Sequence, residues 1–140
     1  LRVYATALYL PERSSDPQAI VAMAGAKRIQ IRMAYGVAAK EFKKALVRGI
    51  EKNYSPAEQA AMQPRTQAFG AIIDGFVRVN GGDVINMDYL PESGLVISVN
   101  GKTRGAPIEG ADFYAAVLRI FIGEHPTDQE QKLRLLGLPT

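Results

Sequence analysis

Residues 113–123, FYAAVLRIFIG, constrain this chain more than any other stretch. The segment has helical length and no helix breaker before its final glycine. Phe113, Ala116, Val117, Ile120 and Phe121 share one face at i, i+3, i+4, i+7, i+8 spacing. Leu118 and Ile122 lie opposite, so the predicted helix is apolar nearly all round and must be buried on more than one side. Arg119 is its only charge. A guanidinium does not discharge, so it must reach water, an acidic side chain or a bound anion. Such a helix is either the spine of a fold or one wall of a pocket.

A chain of 140 residues, 47% hydrophobic, suffices for one domain with a sizeable core, predicted over 1–140. Charged residues make up 22%, which argues against wholesale disorder. A net charge of +3 falls short of a nucleic-acid-binding signature. The absence of cysteine excludes disulfides, thiol catalysis, iron–sulfur clusters and thiolate zinc sites. The single histidine, His125, cannot supply a multi-histidine metal site within one chain. No apolar run reaches the roughly 18 residues of a membrane span.

The elements follow from local pattern. Residues 3–10 are strand formers, apolar on both sides, which predicts a central strand covered on both faces. Asp16-Pro17 opens a short helix through about Met23. Residues 27–35 alternate, with Ile29, Ile31 and Met33 inward and Arg28, Gln30 and Arg32 outward. A helix over 38–53 has the stripe Phe42, Ala45, Leu46, Gly49, Ile50 and a basic opposite side. Glu41 and Glu51 dilute that basic side, which reads as a solvated face. Ser55-Pro56 with Glu58 forms a capping box, and Pro64 interrupts the helix it starts. Residues 83–90 and 95–100 read as an antiparallel hairpin, and Asn100-Gly101 is a tight-turn signal for a further strand. Asp112 is the expected cap of the apolar helix, and a last helix runs from about 127 to Gly137. The order predicts an α+β fold with a mostly antiparallel sheet.

Catalytic constellations are scarce. Gly81-Gly82-Asp83 precedes a strand, with no lysine at phosphate-loop spacing, so it reads as a turn. Asp83 and Asp88 lie five residues apart on one strand and face opposite ways. Tyr4, Tyr9, Tyr35 and Tyr89 sit in or beside strands, where a hydroxyl can sit at a sheet rim or in a pocket wall.

The ordered set VYATALYLPE, GAKRIQIRMAYGVAAKEFKKALVRGIEKN, DYLPESGLVISVNG and GADFYAAVLRIFIGEHP resembles bacterial chalcone isomerase-like proteins over nearly the whole chain. The resemblance implies an open-faced sandwich: a large antiparallel sheet with helices layered on one face and a cleft between them. It puts Tyr4 at the family's strand threonine, Ala38 and Ala45 at its tyrosine and asparagine, and Ile120 at its Ser/Thr position. The family's strand arginine would fall upstream of Leu1, so the first strands of the domain are expected to be missing. Alanine and isoleucine cannot hydrogen-bond a reacting ketone or phenolate. The resemblance therefore implies a non-catalytic protein, with no cofactor or metal, holding a hydrophobic ligand such as a fatty acid. The expected wall residues are Tyr4, Thr6, Phe42, Ala45 and Ile120, with Arg119 as anion partner if its head turns inward. The alternatives are an isomerase using replacement polar groups such as Thr6 or Tyr35, or an interaction module with a filled cleft. Relatives of this type imply an exported, periplasmic location.

Overall fold

The alternating segments pair into one sheet in the computed structural model, which describes residues 3–140. In chain order the elements are β1 (Tyr4–Tyr9), α1 (Pro17–Ala22), β2 (Lys27–Met33), β3 (Val37–Ala38) and α2 (Ala39–Glu51). Then come α3 (Pro56–Ala61), α4 (Gln63–Asp74), β4 (Arg78–Val79), β5 (Val84–Leu90) and β6 (Gly94–Val99). The chain continues through β7 (Lys102–Ile108), α5 (Ala111–Ile122) and α6 (Gln129–Leu135). The main sheet has the order β1-β2-β5-β6-β7, antiparallel throughout, and β3 pairs with β4 apart from it.

Register sorts the side chains by face. Thr6, Ile31, Ile85 and Val99 stand opposite one another, as do Leu8, Ile29, Met87 and Ile97. This face carries the buried core against which the helices pack. The other face carries a polar row, Ala7, Gln30, Asn86, Ser98 and Thr103. There Gln30 Nε2 donates to Asn86 Oδ1 at 3.1 Å, and Arg28 grips both oxygens of Asp88 at 2.8 Å. The sheet is thus covered by helices on one face only.

Two local expectations need correction. β1 is an edge strand, not a central one, and Ala5 and Tyr9 on its outer side are exposed. Alanines scored as apolar, but a methyl group left in water costs little, so they do not demand a cover. The apolar helix begins earlier than Asp112. Gly110 is its N-cap, and Asp112 sits in the first turn, held by Arg65 through bonds of 2.7 and 2.9 Å. Other signals form as read. Asp16 Oδ1 accepts from Gln18 N–H, and the Ser55–Glu58 capping box closes in both directions. Asn100 and Gly101 take φ of 51° and 83°, the left-handed pair a two-residue hairpin turn requires.

α5 is the centre of the helical layer, with nine of its twelve residues buried. α2 crosses it without an intervening side chain. A β-carbon placed on Gly49 would lie 2.8 Å from Ile120 Cγ2. Just beyond α2, Asn53 Nδ2 donates to the carbonyls of Gly49 (2.9 Å), Arg119 (3.1 Å) and His125 (3.0 Å). Asn53 Oδ1 accepts from His125 N–H at 2.9 Å. On the sheet side, the buried Tyr114 hydroxyl donates to the Met87 carbonyl at 2.7 Å.

Gly49→Ala should lower stability in chemical denaturation by about 1–2 kcal/mol, since overpacking outweighs the ~1 kcal/mol gain in helix propensity. With Ile120→Ala already present the added cost of Gly49→Ala should vanish, which only a direct clash explains. Tyr114 gives a pH signature. Burial pushes its phenol well above the usual tyrosine value, so the folded state keeps a proton that the unfolded chain releases near pH 10. Its contribution is complete below about pH 10 and declines above it. Tyr114→Phe should reduce the slope of stability against pH above pH 10 by about 1.4 kcal/mol per unit.

Candidate functional site

At the free edge of the sheet, Tyr4 meets an aromatic wall, with Thr127 beside its hydroxyl and Thr6 next along the same strand face. Alternation along β1 turns Tyr4, Thr6 and Leu8 toward the helices. The Tyr4 ring stands edge-on to Phe42 of α2 (6.3 Å, 88°) and to Phe121 of α5 (6.5 Å, 77°). Burial raises the Tyr4 phenol above its ordinary value; the adjacent Thr127 hydroxyl opposes this and the Asp128 charge adds to it. A phenol so placed stays protonated at neutral pH and acts as a hydrogen-bonding group, not as a base.

Thr127 is delivered by the turn after α5, where its N–H donates to the Ile120 carbonyl at 2.9 Å. Next to it, Asp128 caps α6 by accepting from Gln131 N–H at 3.0 Å. Gln131 is buried, and its Nε2 reaches the Tyr4 carbonyl only at 3.5 Å. Thr127 Oγ1, shielded from solvent, has only the Tyr4 phenol beside it, and Thr6 Oγ1, equally shielded, has no hydrogen-bond partner. Buried hydroxyls normally find one, because leaving one unmet costs about 1–3 kcal/mol. The site therefore offers hydroxyl groups in largely apolar surroundings, with the Asp128 carboxylate felt at the Tyr4 phenol. Among the described residues, no cluster of histidine or acidic side chains could hold a metal ion. No helix there is long and apolar enough to cross a membrane.

The residues singled out from sequence divide into two groups. Tyr4 and Phe42 come together here, Thr6 follows Tyr4 on the same face of β1, and Ile120, fully buried next to Phe121 in α5, packs on Gly49 of α2. Ala45 and Arg119 do not join them. Ala45 is exposed, because the buried stripe of α2 runs Ala39, Phe42, Leu46, Gly49, Ile50 and Ala45 falls a residue off it. Arg119 points away from the sheet. Its Nη1 donates to the Tyr54 hydroxyl at 2.6 Å, and its guanidinium lies 5.5 Å from the Tyr54 ring centre. The one basic side chain of α5 thus has a phenol as its hydrogen-bond partner, and its charge is also felt by the Glu58 carboxylate. Tyr35 is 43% exposed and stands outside the site. Thr127 and Gln131 escaped the sequence reading, since a threonine near a helix start looks like a cap. Asn53 escaped because its partners lie about seventy residues away.

The chain matches the family model described as chalcone isomerase-like over residues 1–137. No curated protein matches the sequence. Among solved structures it is similar to a fatty-acid binding protein of Arabidopsis thaliana, with a TM-score of 0.71 at 15% identity. That match covers 96% of this chain and 76% of the plant chain. At this identity the likeness speaks for the fold. Sheet order, one-sided helical layer and the match across residues 1–137 agree, and the chain belongs to the chalcone isomerase-like family.

Proposed function

We propose that this protein is a non-catalytic carrier of a hydrophobic ligand with a polar head, and that a fatty acid is the ligand class that suits it best. The observation behind this reading is the buried Thr6 hydroxyl, which has no hydrogen-bond partner, on the same strand face as the Tyr4 phenol and its neighbour Thr127. A carboxylate accepts from hydroxyl donors, and the surrounding Phe42, Phe121 and Ile120 suit an acyl chain. The structural neighbour, a fatty-acid binding protein, points the same way. Tyr4, Phe42 and Phe121 now fill the space, so ligand entry displaces the Tyr4 ring, which lies on an edge strand and is only partly buried. Neutral hydroxyls and a phenol of raised pKa favour binding over chalcone cyclisation, which needs an activated base. The family resemblance adds an exported, periplasmic location, which cell fractionation reads directly.

Laurate titration followed by native mass spectrometry tests this reading. The wild type should form a one-to-one complex, and the Thr6→Val, Thr127→Val double variant should bind at least tenfold more weakly, since hydrogen bonds to a charged group contribute about 1.5–3 kcal/mol. Thr6→Val alone should leave ligand-free stability unchanged or raised, because the valine removes an unmet hydroxyl. Equal laurate binding by the two proteins, or none by the wild type, overturns the reading.

A further inference from the structure

At the far end of β2 from Tyr4, the same inward face carries a charge. Tyr4 stands opposite Met33, whereas Lys27 opens the strand opposite Tyr89. Six residues separate Lys27 from Met33, or roughly 20 Å at 3.3 Å per residue. Lys27 is 7% exposed. Its ammonium lies 5.6 Å from the Tyr89 ring centre and reaches one acceptor, the Val21 carbonyl, at a long 3.5 Å. An ammonium has three donors, and a buried charge is costly unless an anion meets it. Among the described residues no carboxylate lies within ion-pair distance of it.

This ammonium borders a pocket of about 460 Å³ between the end of α1 and the start of α5. Val21, Met23, Tyr89, Pro91, Ala111 and Ala115 give it a largely apolar lining. The nearest acid on its wall, Asp112, is gripped by both Nη atoms of Arg65, which cancels its charge locally. The first turn of α5 forms part of the wall, and Gly110 caps it with no side-chain bond, so the positive end of the helix dipole also faces this region. Burial lowers the Lys27 pKa, and an incoming anion would restore it.

We infer that this pocket is a second binding site, for the carboxylate of a small amphipathic acid, with Lys27 as the anion partner and the α1–α5 groove holding the apolar part. The site is separate from the hydroxyl cluster at Tyr4 and does not depend on the function proposed there. Two features support it together: a buried cation without a counter-charge, and an apolar groove opening onto it.

The intact protein, labelled with nitrogen-15, is titrated with decanoate and, separately, with decanol, which matches its length without the charge. Decanoate should shift the amides of Met23, Lys27, Ala111 and Ala115 and bind there at least tenfold more tightly than decanol. Lys27→Met should bring that ratio close to one and raise the unfolding midpoint of the free protein; Lys27→Arg should keep the ratio. If Lys27→Met does not fold, Lys27→Gln replaces it with the same expected loss of preference. A Thr6→Val, Thr127→Val background should leave these responses intact, so failure of the Tyr4 site and failure of this one are read separately. Decanoate shifts confined to residues around Tyr4, or a charge preference that survives loss of the ammonium, would overturn the inference.

Discussion

The direct contact between α2 and α5 at Gly49 and Ile120 sets the geometry of everything above the sheet. Without a side chain at Gly49, the two helices approach until backbone meets the Ile120 branch. The depth of that approach propagates both ways along α2. Two turns earlier, Phe42 is brought down onto the Tyr4 ring. One turn later, Asn53 binds the ends of both helices and both polar groups of the His125 backbone. That clamp orders the turn after α5, which in turn delivers Thr127 to Ile120 and to the Tyr4 phenol. The site at the sheet edge is thus a consequence of one missing β-carbon and one amide side chain.

Much of this fold was legible because the signals are local. Alternation placed Ile29, Ile31 and Met33 inward, caps placed α1, α3 and α6, and Asn100-Gly101 placed the last turn. What failed were the alanines. Ala45 counted toward a stripe, and Ala5 and Ala7 toward a covered strand, yet a methyl group is indifferent enough to sit on either side. β3 and β4, two residues each, are too short to carry a period. The Asn53 clamp and the hydroxyl of Thr127 depend on partners distant in sequence, which no window can see. Lys27 is different. The alternation that faced Ile29 and Ile31 inward also faces Lys27 inward, so its burial was readable from the register alone.

The unmet polar groups mark the sites most clearly when set against the other face of the sheet. There strand register sets two polar pairs side by side in the open, Gln30 with Asn86 and Arg28 with Asp88. The helix-facing side is where an unmatched polar group costs most, and there stand Thr6 and Lys27. General looseness of packing would scatter such groups over the molecule. Here they lie on the covered face, one set at each end of β2, and each adjoins apolar or aromatic side chains. An isosteric valine at Thr6, or a methionine at Lys27, would fill the same space at lower cost. Polar groups so placed on the covered side of the sheet, where a ligand would be shielded from water, are the physical basis of the binding roles proposed above for the two ends of β2.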